Sequence, residues 1–332
     1  MILPYLLRLL CLCFASFFVL NAAAGFFVRI SSKSAIRFAE SRSPNAAARF
    51  LLILRLLPFA LATLFVLALC VPSYLWLEPG ATAERVGATC AILGILGAAT
   101  WSVSIARTIR SLRASMRYSW LCRSVGHESR QPAGPSSVFV IEPVVVLQEE
   151  APILALSGLL RPRLLISRSV LRALSAEELD AALAHEHAHR TSRDNVKRLL
   201  ILLAPDMFPF VRSLRLLEHS WSKFAEWAAD DQASAGDSRR ALSLAAALVQ
   251  VARMGSAPHL PLLSTSLLAC DRDLSARVDR LLHPTPIAGV HSKLGYPPLR
   301  IAGFLLAGCL AVLLLAPSTL SSVHELLELL LR

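Results

Sequence analysis

The chain has 332 residues, of which 55% are hydrophobic, with a mean hydropathy of +0.56 and a formal net charge of +11. A soluble domain of this length rarely has a positive mean hydropathy, so the composition excludes an ordinary water-soluble globule and points to a membrane protein. The basic excess is no sign of nucleic-acid binding. Its residues hug the ends of apolar runs without interleaved aromatics, which suits contact with anionic lipid headgroups.

Three runs near the N-terminus, Leu9–Val28, Leu56–Trp76 and Val86–Ala106, are about as long as the 20 helical residues that cross a bilayer. The first has no basic n-region beyond Arg8 and no clear A-x-A exit, and a second run follows it, so it reads as a span and not as a cleaved signal peptide. Arg29, Lys33, Arg37, Arg42 and Arg49 separate the first two runs, and Arg107, Arg110, Arg113, Arg117 and Arg123 follow the third. The positive-inside rule makes both segments cytoplasmic, in a bacterial cell membrane, with the N- and C-termini outside. Residues 1–123 are thus expected to be three transmembrane helices with a basic cytoplasmic loop. Cys11, Cys13, Cys70, Cys90 and Cys309 fall in spans, scattered like small buried hydrophobes and unlike a disulfide framework.

Residues 124–137, rich in Gly, Pro, Ser and polar residues, read as a linker. The domain 138–285 then opens with short aliphatic runs punctuated by proline: Val138–Ile141, Val144–Gln148, Ile153–Leu156 and Leu164–Ser167. These are the strands of a small sheet. At a sheet edge, Ile153–Ser157 could take an extended polypeptide by backbone pairing, although a plain structural strand fits equally.

Ser175-Ala176-Glu177-Glu178 has the form of a capping box and starts a helix that carries His185-Glu186-His187-Ala188-His189. Within H-E-x-x-H, His185 and His189 lie four apart on one helix face and can offer two imidazole nitrogens to one zinc ion. Glu186 then sits beside the metal, placed to take a proton from a water that the metal polarises. His187 projects elsewhere. Glu226 is the candidate third ligand, and Asp230, one turn on, is placed to accept the free ring N–H of a ligand histidine; a solvated acidic face is the alternative. The oxyanion stabiliser is open: His219 shares a helix face with Glu226, and Arg239 and Arg240 are other options.

Between the ligands, 195–217 is broken by Pro205, Asp206, Pro209, Arg212 and Arg215 into pieces too short to span. They read as helices against the membrane or over the site, with Trp221 and Trp227 as interfacial anchors or as core. Ala241–Arg253 is an amphipathic helix and His259–Asp273 a loop-like stretch that could line the cleft. Residues 286–300 link to a fourth, shorter run, Ile301–Pro317, read as a span or else as a buried helix, and 318–332 form a short tail.

Gly158-Leu159-Leu160-Arg161-Pro162-Arg163-Leu164-Leu165-Ile166-Ser167, Leu174-Ser175-Ala176-Glu177-Glu178-Leu179 and Ala184-His185-Glu186-His187-Ala188-His189-Arg190 together resemble the membrane-embedded gluzincin metalloproteases. Arg193-Asp194-Asn195, Phe208-Pro209-Phe210 and Arg277-Val278-Asp279-Arg280-Leu281-Leu282 resemble the BlaR/MecR-type antirepressor proteases in particular. Only 37 positions (226 − 189) separate His189 from Glu226, little room for the extra hairpin of spans usual in the HtpX and CAAX-prenyl-protease family. Ala229 before Asp230, where the BlaR/MecR type often has Cys, leans the other way. The resemblance implies an α+β protein: a multi-span α-helical membrane protein with a cytoplasmic zincin-like metalloprotease domain. It implies a Zn2+ cofactor held by His185, His189 and Glu226, Glu186 as base, and a protein or peptide substrate. In the BlaR/MecR reading that substrate is a cytoplasmic transcriptional repressor or the chain itself. HtpX-like quality control and a non-catalytic membrane scaffold are the alternatives.

Overall fold

A computed structural model describes residues 4–78, 86–129, 144–148, 151–159, 162–206, 212–255, 263–267, 273–283 and 317–331. Three helical stretches are long and apolar enough to cross a membrane: Tyr5–Glu40, Pro44–Leu77 and Ala88–Ser124. They cover the three expected runs, except for Val86 and Gly87 ahead of the third, and each extends beyond its run. The first, α1 (Tyr5–Glu40), has 36 residues, about 54 Å at 1.5 Å each, so it passes well beyond a hydrocarbon core of about 30 Å and carries Arg29, Lys33 and Arg37 on the excess length. α4 (Ala88–Val125) does the same at its C-terminal end. The second stretch is α2 (Pro44–Phe65), a π-helical turn at Val66–Cys70, and α3 (Val71–Leu77). Pro72 lacks the N–H that would bond the Ala68 carbonyl, and beside it the Val71 N–H reaches back five residues to Val66, which widens the turn at Cys70.

A five-stranded sheet opens the second part, in the order β1 (His127–Ser129), β2 (Val144–Leu147), β4 (Arg163–Ser167), β3 (Leu154–Ser157), β5 (Ser264–Ser266). Only β2 and β4 run parallel. Three of the four predicted strands are present within a residue or so, and Val138–Ile141 lies outside the described residues. Two expectations change. His127–Ser129, read as linker, is a strand paired with β2. The strand expected at the edge, β3, is interior: β5, from the stretch read as loop, pairs with it antiparallel, Ser266 opposite Ala155 and Ser264 opposite Ser157. Both departures depend on pairing between distant segments, which local pattern does not encode.

Helices α5 (Arg168–Ala173), α6 (Ala176–Ser192), α7 (Asp194–Leu203), α8 (Arg212–Ser234), α9 (Ser238–Arg253) and α10 (Leu274–Leu282) complete this part. Leu154, Leu156, Leu164 and Ile166 on one sheet face meet Leu179, Leu183, Leu244 and Leu248 of α6 and α9 in the main core. The opposite face packs Val145, Leu147 and Leu165 against Cys122 and Tyr118 of α4.

The two parts are joined by polar bonds as well as by packing. Ser104 of α4 donates to the carbonyls of Leu202 and Leu203 at 2.9 and 2.7 Å, and Arg107 donates to Leu202 at 3.0 Å, so α4 satisfies carbonyls that the end of α7 leaves free. Asn21 of α1 donates to the Pro205 carbonyl, and Arg55 of α2 meets Glu218 of α8 at 2.8 Å. Trp221 is core, buried with Phe224 against Ala47, Ala48 and Leu51 of α2. The fourth predicted run lies outside the described residues except for Pro317. The tail after it is α11 (Pro317–Leu331), whose Leu320 carbonyl accepts a hydrogen bond from Ser73 of α3.

Candidate metal centre

The site begins with a helix start. The Ser175 side chain accepts from the Glu178 N–H, and the Glu178 carboxylate accepts from the Ser175 N–H at 2.8 Å, which fixes the first turn of α6. Three turns on, His185, Glu186 and His189 face inward and are buried. The helix stops at Arg193, in left-handed conformation (φ 56°), and the chain turns directly into α7 with Asp194 in its first turn. α8 crosses this end of α6 and contributes Glu226 and Asp230, both buried.

Three atoms converge. His185 Nε2 and His189 Nε2 are 3.1 Å apart, and Glu226 Oε2 is 3.4 and 3.5 Å from them. Donors bound tetrahedrally at the usual zinc distances of about 2.0–2.1 Å would stand about 3.3 Å from one another, so this triangle has the size one ion requires. His185, His189 and Glu226 form the group of metal-capable side chains found among the described residues.

The far sides of the rings make the same point. His189 Nδ1 lies 2.7 Å from Asp194 Oδ2, and His185 Nδ1 lies 3.0 Å from Asp230 Oδ1. An ionised carboxylate only accepts, so each Nδ1 carries the proton and each neutral ring presents an Nε2 lone pair to the other. Two lone pairs and a carboxylate oxygen then face one another, with the Arg277 guanidinium at one side, its Nη2 3.5 Å from His185 Nε2 and its Nη1 3.3 Å from Glu226 Oε2, so the cluster attracts a proton or a further cation. Burial alone would lower the His189 pKa, but Glu226 and Asp194 outweigh it and hold the ring up to about 10. Burial would raise Glu226, and the cationic His189 with its neighbours reverses this, keeping it well below the usual carboxylate range. Asp194, facing the same burial, is held down to about 2 by His189 and Lys197, the latter donating to it at 2.7 Å.

Arg277 of α10 closes the site from the other side. It is buried, donates from Nε and Nη2 to the two oxygens of Asp230 at 2.9 and 2.7 Å, and donates from Nη1 to the Leu267 carbonyl at 2.8 Å. The same Nη1 is 3.3 Å from Glu226 Oε2. One guanidinium therefore ties the end of β5 to the two acidic residues of α8. Glu186 is different. Its carboxylate is buried and neither oxygen has a hydrogen-bond partner among the described residues, and burial, partly offset by His185 and His189, pushes its pKa up to about 7.

The chain belongs to the BlaR1 peptidase M56 family. The family model matches residues 85–281, more than half of the sequence and all of the residues just described. No curated protein matches the chain. The BlaR/MecR resemblance is thereby shown and the HtpX alternative is not needed. This is a family of membrane-associated metallopeptidases, which accords with the three apolar helices and the His/His/Glu donor set.

Of the residues singled out in the sequence, His185, His189, Glu226, Glu186 and Asp230 come together. His219 does not. On α8 it faces the same side as Glu226 but two turns away, about 10.5 Å along the axis, and its half-exposed ring stands 3.8 Å from Asp273. Arg240 is paired with Asp180 at 2.9 Å, and Arg239 gives its backbone N–H to Asp237. Two cations lie nearer the donor set, Arg277 and Arg198, the latter 3.9 Å from Glu226 Oε1. Sequence reasoning misses Asp194 and Arg277 as site residues. Their only signals were the Arg193-Asp194-Asn195 and Arg277–Leu282 matches that supported the family resemblance.

Proposed function

We propose that the chain is a membrane-bound zinc endopeptidase acting on the cytoplasmic side, with a zincin-like catalytic domain, and that it serves signal transduction by cleaving a transcriptional repressor or itself. The observation that carries the reading is the buried triangle of His185 Nε2, His189 Nε2 and Glu226 Oε2 with the unpartnered Glu186 carboxylate beside it, in a chain of a peptidase family. Two imidazoles and a carboxylate with an open position favour zinc among the divalent ions.

His185, His189 and Glu226 would hold the ion. Asp230 and Asp194 keep both rings in the tautomer that offers Nε2, and Arg277 and Lys197 keep those two carboxylates ionised and in place. When bound, zinc lowers the pKa of water and polarises a peptide carbonyl. The Glu186 carboxylate takes the proton of the attacking water and passes it to the leaving amine. A pKa of about 7 suits a group that must both accept and release a proton near neutrality. A non-catalytic scaffold would have no use for an unpaired carboxylate in this position, which costs stability and contributes no contact.

The strand pair β3–β5 supports the self-cleavage half of the reading. β5 is a piece of the chain's own backbone laid antiparallel on β3, where an extended substrate would pair, and Arg277 links the carbonyl of Leu267, the residue just after β5, to Glu226 and Asp230. A separate protein substrate would take the same edge once β5 leaves it. Metal analysis of the purified chain tests the centre: one zinc per chain is expected in the parent and a loss of bound zinc in Glu226→Ala. A Glu226→Ala variant that kept full occupancy would remove Glu226 from the ligand set.

A further inference from the structure

Four cysteines that look scattered in the sequence meet in pairs. Cys13 Sγ is 3.9 Å from Cys70 Sγ, and Cys11 Sγ is 3.9 Å from Cys90 Sγ. All four belong to one apolar cluster, built from the N-terminal part of α1, the π-helical turn with α3, and the start of α4. The approach has local causes. A Cβ on Gly94 would stand 2.8 Å from Cys11 Sγ, and one on Gly97 would stand 2.3 Å from the Phe14 carbonyl oxygen, so α1 and α4 come closer than side chains there would permit. Cys70 lies in the widened turn beside Pro72.

We propose that these pairs are a redox site, in which Cys13–Cys70 and Cys11–Cys90 each form a disulfide that ties α1 to the second spanning stretch and to α4. The sulfurs are already in van der Waals contact, and a side-chain rotation with a small helix shift closes the remaining gap of about 2 Å to a bond of about 2.04 Å. The oxidant fitted to the place is a lipid-soluble quinone. Each pair joins a half-buried cysteine, Cys11 or Cys13, to a buried one on helices apolar enough to span a bilayer, so the pairs border hydrocarbon, in which a quinone dissolves and an aqueous disulfide does not. For each pair, both S–H bonds break and one S–S bond forms, and the two electrons and two protons pass to the quinone oxygens, giving the hydroquinone.

The consequence is mechanical. The bonds would fix, at one end, the three spanning stretches whose other parts hold Pro205, the end of α7, and Glu218 of α8. Any effect on peptide cleavage rests on the function proposed above; the sulfur chemistry does not.

The full-length chain in reduced membrane vesicles is exposed to a short-chain ubiquinone, unfolded in the presence of N-ethylmaleimide so that every remaining thiol is alkylated, and mapped by mass spectrometry. The expected result is loss of four of the seven thiols, with linked peptides for Cys13–Cys70 and Cys11–Cys90 that dithiothreitol separates. Cys13→Ala leaves Cys70 alkylated while Cys11–Cys90 still forms, and Cys90→Ser does the converse. Full alkylation of all four cysteines after quinone overturns the proposal, as do equal yields of Cys11–Cys70 and Cys13–Cys90. Linkage by oxidised glutathione as readily as by quinone overturns the choice of oxidant.

Discussion

Arg277→Met isolates what the buried guanidinium does, because methionine fills similar space and removes only charge and donors. In the parent, Arg277 and Asp230 are 2% and 1% exposed and share two hydrogen bonds of 2.9 and 2.7 Å. Removing one member of such a pair leaves a buried charge unpaired and costs about 3–5 kcal/mol. At about 2–4 °C per kcal/mol for a domain of this size, the melting temperature falls by roughly 6–20 °C. A second loss is local: the Leu267 carbonyl loses its donor, so β5 loosens on β3. Melting in detergent, followed with limited proteolysis of the segment around Ser264–Ser266, reads both effects. Arg277→Lys keeps the charge but cannot grip two oxygens and a carbonyl at once, so it falls between Met and the parent. Unchanged melting with an unchanged digestion pattern in Arg277→Met would refute the reasoning, since the guanidinium would then hold neither α8 nor β5.

Three further outcomes follow from the same geometry. Asp194→Asn removes the charge behind His189 and weakens zinc binding about 10–100-fold, measured by competition with a chromophoric chelator; parent-like affinity would show that Asp194 does not orient the ring. Below its pKa of about 10, His189 in the metal-free site holds a proton that must leave when metal binds, so affinity rises with pH by about tenfold per unit for each proton released. Calorimetry in two buffers of different ionisation enthalpy counts that proton, and equal heats in both would contradict it. Ser175→Ala removes the N-cap of α6 and costs about 1 kcal/mol, a fall of a few degrees in melting temperature with zinc stoichiometry kept.

What the sequence disclosed and what it withheld divide along the range of the interactions. α6 was legible because its cap, its apolar positions and its two histidines all lie within one helix and repeat with its period. Glu226 and Asp230 were legible because one turn separates them and a partner of their type was already required. Arg277 was not, since its partner Asp230 lies 47 residues away and nothing in the residues between announces the pairing. The same holds for β5 on β3, where three short polar residues become a strand only because an apolar edge is there to receive them. The thiol pairs are the clearest case, at separations of 79 and 57 residues. They depend on how three spans pack, which hydropathy does not specify.

We propose that Glu186 is the base of a zinc peptidase. The most direct measurement follows cleavage of a flexible protein substrate, and of the chain itself, in detergent with zinc present, for the parent and for Glu186→Ala at equal zinc occupancy. Cleavage by the parent and none by the variant is expected, with zinc still bound because Glu186 is not among the three converging donors. Equal cleavage by both would contradict it.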